Sequence, residues 1–280
     1  MIPQTFGPLA VLGGGTMAES ILRGGLAAGV LDASTLIVCD PSSDRRDLFQ
    51  AMGIRVTSEH RVALAGAWPI LLAVKPQSFG GLAEQLRPHL AARPTLAISI
   101  LAGTAAAAIQ MALGDQVRVV RVMPNTAAAV RLATSAISSG PGAVEADLAR
   151  AELLFAAIGT ASRIEESMMN AATAIVGSGP AYLYYLAQAM IDGAQAVGFD
   201  HTTADRLVRS TILGAASLLS SSPAASPDSL RAGVTSKGGT TAAAIDVLDE
   251  AGLLDTVCRA IVAARDRGEQ LAQIDTTPRG

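Results

Sequence analysis

The sequence contains few aromatic residues and few charged ones. Phe, Trp and Tyr make up 3% of its 280 residues, and Asp, Glu, Lys and Arg make up 16%, against about 25% charged residues in an average soluble domain. The hydrophobic share of 50% is enough for a buried core and excludes intrinsic disorder. No uninterrupted apolar run approaches the roughly 18 residues of a membrane span. We therefore expect a soluble globular protein that is rich in small side chains.

Cysteine and positive charge are also scarce. The two cysteines, Cys39 and Cys258, lie far apart without neighbours at metal-ligand spacing, so neither a disulfide framework nor a metal site is predicted. A formal net charge of −3 gives no basic surface for nucleic acid or an anionic membrane. The N-terminus lacks the basic and apolar segments of a secretory signal. These features predict a cytoplasmic protein that binds small molecules and further copies of itself.

Six short apolar runs recur in the first part of the chain, and segments of helical length separate them. Because a parallel strand is reached only through a long crossover, this alternation is typical of βαβ units and of a doubly wound α/β sheet. The runs lie at residues 9–12, 35–39, 68–74, 95–100, 117–122 and 133–138.

After Ile164 the strand-like runs end and helical segments follow. Residues 181–187 read AYLYYLA, and a helix with so little polar surface requires burial on more than one side. A domain of this size has too few helices to provide that burial, so we expect other subunits of a homo-oligomer to cover it. We predict an α/β domain at 1–164 and an all-helical domain at 165–280. The candidate helices lie at 166–176, 180–197, 203–219, 241–251 and 253–271.

A glycine-rich turn follows the first predicted strand. It reads Gly13-Gly14-Gly15-Thr16-Met17-Ala18 and precedes a helical stretch, which is the context of the dinucleotide fingerprint G-x-G-x-x-A. In that pattern the first glycine makes the tight turn, and the second lets the backbone approach a pyrophosphate. The pattern favours a dinucleotide site over a plain glycine-rich turn.

The choice between the two nicotinamide nucleotides depends on the end of the second strand, where Asp40 stands. An acidic residue at this point favours the free ribose hydroxyls of NADH and repels the extra phosphate of NADPH. Ser42, Ser43 and Arg45 are able to hold that phosphate if Asp40 turns aside. A further alternative is that Asp40 caps the next helix.

Histidine is too scarce to supply an obvious catalytic acid. The chain has three, His60, His89 and His201, whereas the reduction of a carbonyl usually requires a group that protonates the oxygen. His89 sits in what reads as a surface connection and His201 opens a helix, so structural roles are expected for both. An imine substrate fits this scarcity, because a C=N group carries its own proton near neutral pH.

Three further segments carry polar groups at places where ligands gather. Lys75 ends a buried strand, although a solvated lysine is an equal alternative. Asn125 and Thr126 end another strand and are potential donors to a nicotinamide amide, with a plain turn as the alternative. The segment 235–241 reads TSKGGTT, a loop of hydroxyls and free N–H groups that suits a carboxylate, with a capping box that binds no ligand as the alternative.

Taken together, these segments resemble motifs of the pyrroline-5-carboxylate reductase family over nearly the whole chain. The resemblance implies an N-terminal Rossmann domain that binds NAD(P)H and a C-terminal helical dimerisation domain, often assembled further into decamers. It also implies an oxidoreductase of proline biosynthesis, which transfers a hydride from NADPH or NADH to the C=N carbon of L-1-pyrroline-5-carboxylate and forms L-proline. The matching segments are 13–18, 73–76, 99–103, 122–126, 177–182 and 236–241.

The resemblance also implies roles for individual residues. Thr241 is the expected catalytic residue, since its hydroxyl hydrogen-bonds the ring nitrogen, and a dimer partner supplies its loop. The substrate-binding residues implied are Glu166, Ser236, Gly238, Gly239, Thr240 and Thr241. The cofactor-binding residues expected are Leu12, Gly13, Gly14, Gly15, Thr16 and Met17 at the pyrophosphate; Asp40, Ser42 and His60 at the adenosine; and Ala73, Val74, Lys75, Ala102 and Asn125 at the nicotinamide.

Three positions depart from the family pattern. Lys237 stands where the substrate loop usually has a proline, and Ala127 replaces a second proline after Asn-Thr. Asp40 stands where Ser, Thr or Arg is more common, so we expect NADH to be used at least comparably with NADPH. Rival interpretations are a related imine reductase, a 3-hydroxyacid dehydrogenase-like enzyme and a non-catalytic NAD(P)-binding regulator. The absence of lysine from 166–197 counts against the dehydrogenase, and intact Thr241 argues against the regulator.

Overall fold

The computed structural model of the chain describes residues 5–66 and 69–274, the last four of these by their backbone alone. Its centre is an eight-stranded sheet with the order β3-β2-β1-β4-β5-β6-β7-β8. All neighbouring strands are parallel except β6 and β7. The strands are β1 Leu9–Leu12, β2 Leu36–Cys39, β3 Arg55–Thr57, β4 Ile70–Leu72, β5 Thr95–Ser99, β6 Val117–Met123, β7 Ala133–Ser139 and β8 Gly159–Arg163.

Twelve helices accompany the sheet in the described part of the chain. Short 3-10 turns at Ala33–Thr35, Thr126–Val130 and Glu166–Met168 and a π-helical turn at Thr173–Gly177 complete the regular structure. The helices are α1 Thr16–Ala27, α2 Ser43–Ala51, α3 His60–Leu64, α4 Pro76–Leu90, α5 Ala106–Leu113, α6 Glu145–Ala156, α7 Met169–Ala172, α8 Gly179–Ala196, α9 His201–Ser221, α10 Pro227–Gly233, α11 Thr240–Glu250 and α12 Leu253–Ile274.

The central strands are apolar on both faces because helices cover both sides of the sheet. Leu9 and Val11 of β1 belong to one core cluster, whereas Ala10 and Leu12 belong to a second. This alternation follows from the two-residue period of a strand. A continuous apolar run is therefore what a strand in the middle of a parallel sheet requires.

The six predicted strands are all present, and the predicted doubly wound α/β fold is confirmed. Two strands, β3 and β8, were not predicted, because each lies at an edge of the sheet and carries exposed polar residues. The sheet is mixed, since the connection from β6 to β7 holds one 3-10 turn and is too short for a parallel crossover. The predicted run at 68–74 is observed as Ile70–Leu72, and Trp68 lies outside the described residues.

The prediction that His89 lies in a surface connection is wrong. His89 is in the last turn of α4, which continues past Pro88 to Leu90. Proline removes one helical hydrogen bond, and the buried side chains of Leu86 and Leu90 hold the turn in place.

By its internal contacts the chain divides into two compact units, residues 1–178 with 263–280 and residues 179–262. The boundary predicted between 164 and 165 stays a prediction. The second unit has a small core around Ile191, Ala204 and Val208. Its helices leave large apolar side chains exposed, among them Tyr184, Tyr185, Leu213 and Leu254. None of the helices described is long and apolar enough to cross a membrane.

A half-buried ion pair fastens α6 to the sheet. Asp147 is 3% exposed and accepts hydrogen bonds from Nε and Nη2 of Arg118 at 2.7 and 2.9 Å. It also accepts the N–H of Val144 at 3.1 Å, which caps the helix. Burial raises the pKa of Asp147, but the hydrogen bonds to Arg118 and Val144 outweigh it, so the pKa lies below its usual range.

We expect Asp147→Asn to lower the free energy of unfolding by about 2 kcal/mol at pH 7, because the variant leaves Arg118 without its anion. Since the pKa is lower in the folded chain, the stabilisation is full above the unfolded pKa and is lost as the pH falls through the folded one. Urea unfolding at pH 7 and at pH 3 measures both effects. The control is Glu145→Gln on the same helix, whose carboxylate is 75% exposed. Equal losses for the two variants at pH 7 would contradict the expectation.

Candidate active site

The glycine turn after β1 depends on a close backbone approach. Gly13 has φ +98°, and its N–H donates to the carbonyl oxygen of Cys39 at 2.9 Å. A Cβ at this position would lie 2.7 Å from the carbonyl oxygen of Ala73. Only glycine adopts this positive φ without strain and has no Cβ to collide with Ala73. The turn can therefore lie directly against the end of β4.

Gly15 differs from Gly13 because its surroundings are open. It is the N-cap of α1 with an ordinary φ of −68°, and no described side chain caps the helix there. A Cβ on Gly15 would meet no described atom within 4 Å. Thr16 and Met17 follow in the first helical turn, whose N–H groups have no partners within the helix. This open space before a helix N-terminus fits the pyrophosphate of a dinucleotide.

Asp40 lies directly beside the glycine turn. Its Oδ2 accepts the N–H of Gly14 at 2.6 Å, and its Oδ1 accepts the N–H of Ser42 at 2.9 Å. The helix cap of α2 is Ser42, whose hydroxyl accepts the N–H of Arg45 at 3.4 Å. The alternative that Asp40 caps α2 is therefore wrong. His60, the first residue of α3, is half-buried on a helix that packs against β1 and β2.

Four of the residues predicted to contact the nicotinamide follow the ends of the adjacent parallel strands β4 and β5. Ala73 donates its N–H to the carbonyl oxygen of Leu12 at 2.8 Å, and Val74 follows it. Lys75 is exposed at the N-cap of α4, and Ala102 is exposed after β5. Ligands of doubly wound sheets bind at this edge. The sheet therefore brings the predicted residues 12–17, 73–75 and 102 to one edge.

Asn125 follows β6 and ends the strand with a turn. Its side-chain oxygen accepts the N–H of Ala127 at 3.3 Å and caps the 3-10 turn Thr126–Val130. The hydrogen bond of the Asn125 side-chain oxygen is thus the one expected if Asn125 only forms a turn. A contact between Asn125 and the nicotinamide stays a prediction.

Glu166 is bound on both carboxylate oxygens. Oε1 accepts the N–H of Ala106 at 3.1 Å and Nη1 of Arg121 at 3.0 Å, and Oε2 accepts the hydroxyl of Ser138. Arg121 is 4% exposed, so the pair neutralises a buried cation and caps α5. Glu166 thus joins β6, β7 and α5, and its contact with substrate stays a prediction.

The loop 236–241 belongs to the second compact unit. Gly238 has φ +69°, and the N–H of Gly239 donates to the carbonyl oxygen of Ser236 at 3.0 Å. Gly239 is the N-cap of α11, and no side chain in the described part of the chain caps it. The loop therefore supplies the N-cap residue of α11 but forms no capping box. The first turn of α11, with Thr240 and Thr241, retains its N–H groups for an anion.

Comparison with known proteins agrees with this arrangement. The family model for pyrroline-5-carboxylate reductase dimerisation matches residues 166–271, and a model for NADP oxidoreductases described as coenzyme F420-dependent matches residues 8–103. Pyrroline-5-carboxylate reductase of Arabidopsis thaliana is 37% identical over 273 residues, which cover 97% of this chain and 98% of the relative. The chain belongs to the pyrroline-5-carboxylate reductase family.

Solved structures of the family have the same fold. A pyrroline-5-carboxylate reductase of Coxiella burnetii superposes with a TM-score of 0.89 at 32% identity, covering 96% of this chain and 99% of that one. A Plasmodium falciparum pyrroline carboxylate reductase with NADP bound gives a TM-score of 0.83 at 26% identity, with coverages of 95% and 98%. The predicted Rossmann and helical parts are thus those of pyrroline-5-carboxylate reductases.

Several of the residues that organise the site were not identified from the sequence. The contacts of Arg121 and Ser138 with Glu166, and of Glu19 with Arg45, could not be identified from the sequence. The partners in these contacts lie 26 to 45 positions apart in the chain. The available signal was Arg121 itself, one of two arginines in the otherwise apolar run of β6.

The two glycines provide a test of nucleotide binding. We expect Gly15→Ala to keep the melting temperature within about 2 °C, because its Cβ enters open space, and to weaken NADPH and NADH binding by at least about tenfold. Gly13→Ala is the comparison variant, and we expect it to lower the free energy of unfolding by about 1–3 kcal/mol. Thermal unfolding and fluorescence titration measure these effects. Unchanged nucleotide affinity in Gly15→Ala would remove the turn from the binding site.

Proposed function

We propose that this protein reduces L-1-pyrroline-5-carboxylate to L-proline with NADPH or NADH, the last step of proline biosynthesis. The observation that carries the proposal is the 37% identity to a pyrroline-5-carboxylate reductase over 97% of the chain. The nicotinamide nucleotide supplies the hydride when bound. The chain provides the open turn at Gly15 and the strand ends at Ala73 and Ala102 to hold it.

The substrate loop is proposed to orient the imine. The N–H groups at the start of α11 suit the substrate carboxylate, since they carry the positive end of the helix dipole. The left-handed backbone at Gly238 turns the chain into that helix. Thr241 is half-buried in the first turn, and its hydroxyl is proposed to hydrogen-bond the ring nitrogen. Orientation of this kind lowers the barrier by holding reacting atoms together.

The structure adds no support for the rival functions. Helix α8 contains no lysine, the acid-base residue expected of a 3-hydroxyacid dehydrogenase. A 3-hydroxyisobutyrate dehydrogenase and a reductive aminase are 17% and 16% identical to the chain and share the fold alone.

Replacing Thr241 tests the proposed mechanism. We expect Thr241→Ala to lower kcat/KM for pyrroline-5-carboxylate by about 10–100-fold, because one hydrogen bond to the reacting nitrogen is lost. Thr241→Ser is expected to retain most activity. Thr256→Ala, on the exposed side of α12, serves as the control. Steady-state rates and NAD(P)H affinity are measured together, and an unchanged rate in Thr241→Ala would exclude the hydroxyl from the reaction.

The protein is proposed to act in the cytoplasm as a homo-oligomer built from dimers, which assemble further into a decamer. The dimer is supported by the matched dimerisation family model and by the exposed apolar side chains of the second unit, such as Tyr185 at 82% and Leu254 at 74% exposure. Large apolar side chains left exposed on a helical unit are the kind of surface through which copies of a chain associate.

Sedimentation at micromolar concentration tests the assembly. We expect a mass of at least twice the 28.4 kDa of the single chain, because an isolated chain leaves these apolar side chains in water. Tyr185→Glu is expected to weaken the assembly, and Glu59→Gln in the first unit is the control. A monomer at this concentration would contradict the proposal.

A further inference from the structure

NADH and NADPH differ by one phosphate on the 2′-oxygen of the adenosine ribose. In doubly wound folds an acidic residue after the second strand binds the free hydroxyl, whereas a nearby arginine accommodates the phosphate. Selection between the nucleotides therefore depends on which charged group is held at this point and which is kept away. The charged side chains that contact the glycine turn or one another at this point include Asp40, Arg45 and Glu19.

The carboxylate of Asp40 is fixed before any nucleotide binds. Both of its oxygens accept backbone N–H groups, from Gly14 at 2.6 Å and from Ser42 at 2.9 Å. Turning the side chain aside would leave both donors without their acceptors. The negative charge consequently stays beside the glycine turn, where a 2′-phosphate would meet it.

The two arginines that follow Asp40 are both engaged. Arg45 donates Nε to the carbonyl oxygen of Gly14 at 2.5 Å and Nη2 to Oε2 of Glu19 at 2.9 Å, and its guanidinium lies 5.5 Å from the ring centroid of Phe49. Arg46 donates Nη1 to the carbonyl oxygens of Asp40 and Pro41, both at 2.8 Å. Arg45 is thus bound to α1 and to the turn.

Glu19 forms an ion pair with the guanidinium of Arg45. It lies in the first turn of α1, and its side chain is 22% exposed. Burial raises the pKa of Glu19, but hydrogen bonds from Arg45 and Arg23 outweigh it and hold the pKa below its usual value. The carboxylate therefore stays ionised at neutral pH.

We propose that Glu19 and Asp40 together make this enzyme select NADH. Asp40 presents a fixed acceptor to the ribose hydroxyls, and Glu19 acts as a positioning residue that withholds Arg45 from a 2′-phosphate. The inference rests on the proposed function, because it concerns the nucleotide of that reaction. The proposal assigns a role in nucleotide specificity to Glu19. This residue lies in α1, whereas the residue usually considered for this role follows the second strand.

Binding of the two reduced nucleotides to the full-length protein, measured by fluorescence titration without substrate, tests the inference. We expect wild-type protein to bind NADH at least about tenfold more tightly than NADPH. Adenosine 2′,5′-bisphosphate is expected to compete more weakly than AMP. These measurements use the wild-type protein alone. They therefore test the preference for NADH over NADPH even if a substituted chain fails to fold.

Three variants and one control separate the two residues. We expect Glu19→Gln to tighten NADPH binding by about 3–10-fold and to leave NADH affinity within about twofold, because Nη2 of Arg45 loses its anionic partner while Nε stays bound to Gly14. Asp40→Ser is expected to weaken NADH binding, and the double variant to prefer NADPH. Arg23→Gln removes the other cation bound to Glu19 and keeps the contact with Arg45, so the ratio of affinities is expected to stay within about twofold of wild type.

Each outcome decides the matter. Equal or tighter NADPH binding by wild type overturns the inference and leaves the proposed function intact. An unchanged ratio in folded Glu19→Gln, with a shifted ratio in Asp40→Ser, overturns the role of Glu19. Failure of wild type to bind either nucleotide overturns the inference and the proposed function together. Selective NADH binding without turnover of pyrroline-5-carboxylate supports the inference and overturns the proposed function.

Discussion

The contact of Gly13 with the backbone of residues 73 and 74 is the constraint on which the nucleotide side of the protein depends. A side chain at Gly13 would separate the ends of β1 and β4, and Leu12 and Ala73 are already hydrogen-bonded there. The same glycine donates to Cys39 at the end of β2. The glycine turn therefore lies against the ends of β1, β2 and β4, and α1 begins directly after it.

The central part of the fold was predictable because its physical requirements are local. Strands that are buried on both faces consist mainly of apolar and small residues, so β1, β2, β4, β5, β6 and β7 can be recognised from short windows of sequence. Edge strands such as β8 have polar residues and give no such signal. β7 is antiparallel to β6 because the connection between them is short. The periodicity of apolar residues carries no information about this direction.

The site was predictable to a lesser degree. The glycine turn and Asp40 follow a known spacing, whereas the roles of Thr241 and its loop are predicted from the family resemblance and stay predictions. Long-range pairs carry no comparable pattern. Glu166 binds Arg121 and Ser138, and Glu19 binds Arg45, only because the fold places distant segments side by side. Such contacts depend on tertiary geometry, which a single sequence does not contain.

The two hydrogen bonds that Asp40 accepts have a consequence for the kinetics of the nucleotide binding proposed at this residue. Because Gly14 and Ser42 already restrain the carboxylate in the free protein, the conformational entropy of this side chain is lost during folding and not when a nucleotide arrives. Association then requires no rearrangement at this residue. Variants of Asp40 are then expected to change the rate at which the proposed nucleotide dissociates more than the rate at which it binds.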